Sequence, residues 1–344
     1  MSEPLLSLTM IVKDEEASLP TCLASVEGLV DEIVVADTGS SDGTVDVARS
    51  FGALVVDAPW EDSFAAARNS ALDSASGKWA MFLDADEEFP QERRADLLEL
   101  LSHGTFEALH VVIENVREKF PPPAGKASDM VPSVRIWRNR PDFRFTRRVH
   151  EDLDFRGHDE AEGFFAWSDI AIRHFGYDVD PAAMEAKSAF YERLLELALA
   201  DDPLDVVTLL HLGRSHDRRG ASDQALEFYK RAVAADDAQL YPVTRRHLVA
   251  SLAQNGEYHR AATSARVALR VFPDYADLWY YLGRVQLELG EPENALGSLR
   301  KAGALSRGHT PYPSLFIRTD APIARAEAEA LDALGRGAGA AGSR

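Results

Sequence analysis

Residues 82–89 read Phe82-Leu83-Asp84-Ala85-Asp86-Glu87-Glu88-Phe89, with four carboxylates in five positions directly after the apolar run Trp79-Ala80-Met81. Such a run reads as a buried strand. Acids crowded where a strand leaves the core either stand in water or hold a cation. Two carboxylates at i and i+2 can face one ligand if the chain turns there, and hard oxygen donors suit Mg2+ or Mn2+. A solvated helix start is the other reading, because Pro90 and Glu92 follow and acids favour helix N-termini.

Working outward, the first half alternates strand and helix signals. Residues 6–12, 32–37, 53–56 and 79–83 read as strands, with helices over about 18–28, 43–51 and 65–75. Alternation of this kind indicates a mostly parallel, right-handed α/β sheet, whose ligands bind at the carboxyl ends of the strands. Polar motifs follow three of these strands: Lys13-Asp14-Glu15-Glu16, Asp37-Thr38-Gly39-Ser40-Ser41-Asp42 and Asp84-Ala85-Asp86. They should converge on one edge. After Glu107 the pattern changes. Residues 108–116, 133–137, 143–149 and 169–175 are strand-like without helices between the first three, which predicts an antiparallel extension of the sheet. Residues 118–132, with Pro121-Pro122-Pro123 and Gly125, read as a mobile loop.

From about Asp180 the chain turns helical and repetitive. Gly220, Gly256 and Gly290 punctuate three units, spaced by 36 and 34 residues. Leu212-Gly213, Ala225, Tyr229 and Ala232 recur as Leu282-Gly283, Ala295, Leu299 and Ala302, with Leu248, Ala261, Ala265 and Ala268 between them. This resembles tetratricopeptide repeats, helical hairpins with small residues where helices touch. The expected division is a sheet domain over 1–180, repeats over 181–334 and a disordered low-complexity tail over 335–344.

Composition narrows the function. A net charge of −19 argues against nucleic-acid binding and against strong attraction to an anionic membrane. No apolar run approaches the roughly 18 residues of a membrane span, and the N-terminus lacks a signal-peptide pattern, so a cytoplasmic location is expected. Cys22 is the only cysteine, which rules out an intrachain disulfide and reads as a small buried hydrophobe.

Taken together, Leu8-Thr9-Met10-Ile11-Val12-Lys13-Asp14-Glu15-Glu16, the segment Asp31 to Thr44, Phe64-Ala65-Ala66-Ala67-Arg68-Asn69 and the acidic cluster resemble family-2 glycosyltransferases of the GT-A fold. The resemblance covers roughly residues 5–180. It is nearest to the bacterial branch that carries C-terminal tetratricopeptide repeats and includes bacteriocin S-glycosyltransferases. Asp14 stands where that branch more usually has asparagine. The resemblance implies that Thr9 and Glu15 line a nucleoside pocket, that Asp37 hydrogen-bonds the base or ribose, and that Arg68 contacts the base or a phosphate. It also implies that Asp84 approaches the ribose or the metal's hydration shell, and that Asp86 binds the metal bridging the diphosphate.

Transfer with inversion needs a base near the acceptor. Arg147-Arg148-Val149-His150-Glu151-Asp152 offers Glu151 first and Asp152 second, and either could instead pair with Arg147 or Arg148. Within Ile172-Arg173-His174-Phe175-Gly176-Tyr177, His174 fits a distal metal ligand, a diphosphate contact or a structural histidine; His150 fits either functional role. The expectation is a metal-dependent inverting transferase using Mn2+ or Mg2+ and a nucleotide-diphosphate sugar, a UDP-sugar first. The repeats would hold a peptide, protein or glycan acceptor. The rivals are a cell-envelope glycan or lipid-carrier transferase and a repeat scaffold with an inactive sheet domain. A nucleotidyltransferase would show a glycine-rich basic loop where Lys13-Asp14-Glu15-Glu16 is acidic.

Overall fold

The computed structural model describes residues 4–116, 130–176, 181–236, 241–307, 315 and 320–341. The chain divides into two compact units, Met1–Leu194 and Leu195–Arg344.

In the first unit the opening strands form where the apolar runs predict them. They are β1 (Leu6–Val12), β2 (Glu32–Asp37), β3 (Leu54–Asp57) and β4 (Trp79–Phe82), joined by helices α1 (Leu19–Ser25), α2 (Thr44–Ser50) and α3 (Phe64–Leu72). β1 pairs in parallel with β2 and β4, and β2 with β3. Burial explains their composition: Leu6, Leu8, Met10, Trp79 and Met81 are all 1% exposed or less, the continuous apolar reading of a parallel sheet covered on both faces. Ser63 caps α3, its hydroxyl accepting from the Ala66 N–H at 3.2 Å.

Beyond β4 come a two-residue strand β5 (Glu87–Glu88), helix α4 (Arg94–His103), and strands β6 (Ala108–Asn115), β7 (Met130–Arg138), β8 (Arg144–Thr146), β9 (Asp152–Asp154) and β10 (Phe165–His174). The eight-stranded sheet runs β3-β2-β1-β4-β7-β6-β10-β5. Two expectations are corrected here. β7 is antiparallel to β4 and β6 as foreseen, but β10 runs parallel to β6. β7 itself is the return a parallel pairing requires: its end at Trp137 and the start of β10 at Phe165 both lie beside Ala108. β8 leaves the large sheet altogether and, among the described residues, pairs only with β9. Its Phe145 is drawn into a second apolar cluster with Trp137, Phe143, Phe155 and Phe164. Most of the loop expected over 118–132 lies outside the described residues, and 130–132 belong to β7.

Helix α5 (Pro181–Asp201) contains the division between the units. Within the first unit its Phe190 and Tyr191 pack on Phe64, and Phe190 on Trp60, with ring centroids 5.7 to 6.3 Å apart. The second unit stacks three hairpins, α6 (Val206–Arg218) with α7 (Ser222–Ala235), α8 (Pro242–Gln254) with α9 (Tyr258–Val271), and α10 (Ala276–Glu288) with α11 (Pro292–Ser306), followed by α12 (Ala321–Ala341). Gly220, Gly256 and Gly290 each turn at φ +73° with no atom near a would-be Cβ, so the conformation itself selects glycine there. α12 continues through 335–341, within the stretch whose composition reads as a disordered low-complexity tail. Among the described residues no helix is long and apolar enough to cross a membrane.

Two helical glycines give opposite expectations. A Cβ at Gly283 would sit 2.6 Å from Leu299 Cγ, whereas one at Gly297 meets nothing within 4 Å. Gly283→Ala should therefore lower stability by about 1–3 kcal/mol through overpacking. Gly297→Ala should raise it by about 1 kcal/mol through helix propensity. Thermal melting followed by circular dichroism distinguishes them, and equal shifts in the two variants would contradict the packing account.

Candidate active site

The carboxyl ends of β1 and β2 are bound to each other by reciprocal side-chain contacts. Asp14 Oδ1 accepts from the Ser41 N–H at 2.7 Å, and Ser40 Oγ accepts from the Asp14 N–H at 3.0 Å. The Glu15 N–H donates to Thr44 Oγ1 at 2.7 Å, and Glu16 accepts from the Gly43 N–H at 2.9 Å. Asp14 adopts φ +55°, a left-handed conformation in which Asn and Asp are the tolerated non-glycine residues. That accounts for a carboxylate at the position the resemblance gives to asparagine. Asp37 closes the β2 turn by accepting from the Gly39 and Ser40 N–H groups at 3.2–3.3 Å.

After β4 the chain turns through the acids and crosses to the far edge of the sheet. There β5 pairs antiparallel with β10, setting Glu87 opposite His174. The Phe175 N–H donates to the Asp86 carbonyl at 2.9 Å. This brings the Asp86 carboxylate to 3.6 Å from His174 Nε2. His174 Nδ1 lies 2.7 Å from Asn115 Oδ1, so a neutral ring carries its proton on Nδ1 and keeps the Nε2 lone pair toward Asp86. Burial alone would depress the imidazole, but Asp86 and the neighbouring Glu87 and Asp84 raise it overall. Gly176 holds this space open, since a Cβ there would collide with Asp86 Oδ2 and His174 Nε2.

The donor set fits a divalent cation. A carboxylate oxygen and an imidazole lone pair share one cradle that only glycine permits. Among the described residues no group of three such side chains gathers as a complete cage. Mg2+-type sites normally take one or two protein ligands and complete their shell with water and substrate phosphates.

Arg68, on α3, ties the acid turn to the predicted base. Its Nη2 donates to Asp84 Oδ1 at 2.8 Å and its Nε to Glu151 Oε1 at 2.7 Å. Asn69 fixes the segment that carries Glu151, since its side-chain amide exchanges two 2.9 Å hydrogen bonds with the backbone of Phe145. The Phe64 N–H adds a bond to the Arg148 carbonyl at 2.8 Å. Between these anchors Arg147 and His150 take φ +69° and +50°. Backbone held in that region costs of order 1–3 kcal/mol per residue and clusters at functional sites.

Two residues that sequence reasoning passed over complete the network. Arg135 on β7 donates to Glu87 Oε1 at 2.7 Å, and its Nη1 lies 4.0 Å from Asp84 Oδ2. Glu87 Oε2 accepts the Asp84 N–H at 3.0 Å. The Arg68 and Arg135 guanidinium carbons lie 4.3 and 4.0 Å from the Phe82 ring centroid. Burial opposes the charge on Asp84, yet the two guanidiniums hold its carboxyl well below the usual range. Burial wins at Glu87, which is pushed up to about 7 with Arg135 opposing. A single arginine amid Val134, Ile136 and Trp137 was the available signal for Arg135.

The predicted residues thus separate. Asp84, Asp86, Arg68, Glu151 and His174 are joined in one network. Glu15 is near enough that, with burial, the charges of Asp86, Asp84 and Asp42 raise its carboxyl against a Ser18 hydrogen bond. Thr9 is 3% exposed and donates to the Met81 carbonyl inside the sheet at 3.1 Å. Asp152 points outward, 79% exposed at the side chain and 3.9 Å from Arg147. Cys22 Sγ lies under the acid turn, 3.5 Å from the Asp84 carbonyl. Burial and the carboxylates of Glu87, Asp84, Asp86 and Glu88 push its thiol well up. Tyr177 lies outside the described residues.

Known families and proteins match this sequence. The model of glycosyl transferase family 2 covers residues 7–159, and a tetratricopeptide repeat model covers 248–308. A TPR repeat-containing protein of Synechococcus elongatus is 34% identical over 298 residues, covering 85% of this chain and 68% of that protein. The SPbeta prophage-derived glycosyltransferase SunS of Bacillus subtilis is 24% identical over 232 residues, covering 67% of this chain and 53% of SunS. An uncharacterized glycosyltransferase of Rickettsia typhi is 34% identical over 92 residues, covering 27% of this chain and 31% of that protein. The chain thus spans about half the length of SunS and under a third of the Rickettsia protein. By these matches the chain carries a glycosyl transferase family 2 domain followed by C-terminal tetratricopeptide repeats.

Proposed function

We propose that the first unit transfers a sugar, with inversion, from a nucleotide-diphosphate sugar to an acceptor recognised by the repeats, in a reaction that requires Mn2+ or Mg2+. UDP-sugars are the favoured donor class. The observation that carries this reading is the Asp86–His174 pair in the cradle left by Gly176. A divalent cation held there would neutralise charge on the departing diphosphate. Asp84, kept ionised by Arg68, offers a carboxylate to ribose hydroxyls or the cation's water shell. Asp37 and Glu15, at the ends of the neighbouring strands, supply acceptors for the base and ribose.

Glu151 is the proposed base. Arg68 anchors its Oε1, which leaves Oε2 to take the acceptor's proton as the acceptor oxygen or sulfur attacks the anomeric carbon and the bond to the diphosphate breaks. Its side chain is 16% exposed, against 79% for Asp152, so Glu151 is preferred. Substituting Arg68 by Lys would lose the fork that holds both acids.

For the acceptor, a groove of about 510 Å³ in the second unit is lined by Tyr258, Tyr280, Tyr281, Arg284, Arg325 and Glu329, among others. Tyrosine and arginine are enriched where proteins bind other polypeptides, which supports a peptide or protein acceptor.

Asp86→Ala should leave less than about 1% of wild-type transfer, and excess EDTA should do the same to the wild type. Full activity in EDTA would remove the metal from the mechanism. Glu151→Gln keeps shape but cannot accept a proton, so kcat should drop by about 100-fold or more while donor KM stays near wild type. If Asp152→Asn behaves that way instead, the base is Asp152. Arg325→Glu and Tyr280→Ala should raise the acceptor KM by about tenfold, a loss of order 1.4 kcal/mol, with donor kinetics unchanged. No change in acceptor KM would assign the groove another role.

A further inference from the structure

Glu87 is 1% exposed and Arg135 7% exposed. We propose that this buried pair are positioning residues, setting the separation and direction of Asp84 and Asp86 for the nucleotide diphosphate; the inference rests on the donor-site reading above. Three ties converge on Glu87. Its Oε2 takes the Asp84 N–H, its own N–H donates to the Asp84 carbonyl at 3.0 Å, and its strand register fixes it opposite His174. One residue therefore closes the turn between the two aspartates and attaches it to the strand bearing the histidine.

Stability alone does not account for the pair. A buried ion pair is commonly matched or bettered by apolar side chains of similar size. Arg135 is also poorly satisfied as a structural group. Its Nε and Nη1 are buried with no hydrogen-bond partner among the described residues, and each such donor carries a desolvation cost. What the guanidinium does provide is positive charge 4.0 Å from Asp84 Oδ2, on the side away from Arg68's bond to Oδ1. Asp84 is thereby fixed by two cations and by two hydrogen bonds from its backbone to Glu87. Partners of this outer kind commonly change metal or ligand affinity by about 10–100-fold.

The test uses the full chain and compares the wild type with Glu87→Gln, Arg135→Met and the double variant Glu87→Leu/Arg135→Met. Calorimetry measures the affinity for uridine diphosphate and guanosine diphosphate in Mn2+, with Asp86→Ala as control, and melting temperature is recorded alongside. The expected result is a double variant that melts near the wild type yet binds the preferred diphosphate at least about tenfold more weakly. A purely structural pair would give wild-type affinity in that double variant, which overturns the inference while the Asp86 control still shows loss. If the double variant fails to fold, Glu87→Gln decides by the same affinity, because glutamine cannot accept from both Arg135 and the Asp84 N–H. A folded wild type that binds neither diphosphate removes the donor-site reading, and the inference falls with it.

Discussion

Like charges cannot be crowded at the end of a buried strand unless something compensates them, and two guanidiniums do so here. Two unit charges 4 Å apart interact by about 4 kcal/mol at the effective dielectric of a protein surface. Asp84, Glu87 and Glu151 are each within hydrogen-bonding distance of Arg68 or Arg135. Phe82 supports both cations with its ring. The acid turn, the crossing to β10 and the placement of His174 all depend on this compensation. Neither arginine takes Asp86, and its carboxylate faces the histidine instead.

Compensation by arginine also sets which elements must be rigid. Arg68 sits on α3, whose capped start and Asn69 amide hold the segment leading to Glu151. Arg135 sits in the middle of β7, where the register with β6 shifts between Leu109 and His110. The two cations are therefore mounted on a helix and a strand, and Asp84 and Glu151 reach them from segments outside regular structure. A site built this way keeps its geometry because the long, flexible arginine side chains are immobilised by packing before any ligand arrives.

Much of this was legible in the residues. Continuous apolar runs located β1 to β4, the acids and Asp37 were visible as polar motifs after strands, and Arg68 stood out only through the family resemblance. The repeats announced themselves through glycine spacing. What stayed hidden depends on contacts distant in sequence. β5 is two residues long and carries no periodicity, and its pairing with β10 is set only by folding. The parallel direction of β10 could not be read because strand periodicity is the same in either direction. The resemblance placed Thr9 in a nucleoside pocket, whereas Thr9 lies in the middle of β1 and its hydroxyl donates to the Met81 carbonyl. Adjacent acids such as Glu151 and Asp152 point to opposite sides in extended chain, and only the position of Arg68 says which one faces inward.

The lone cysteine beneath the acid turn has a consequence in reactivity. Only the thiolate attacks oxidants, alkylating reagents and disulfides. Cys22 is 1% exposed and surrounded by carboxylates that disfavour a second negative charge. The same electrostatic environment that suits a cation thus silences the thiol. The chain carries sulfur next to its proposed catalytic centre without offering a handle for oxidative inactivation, and no other cysteine is available to form a bridge.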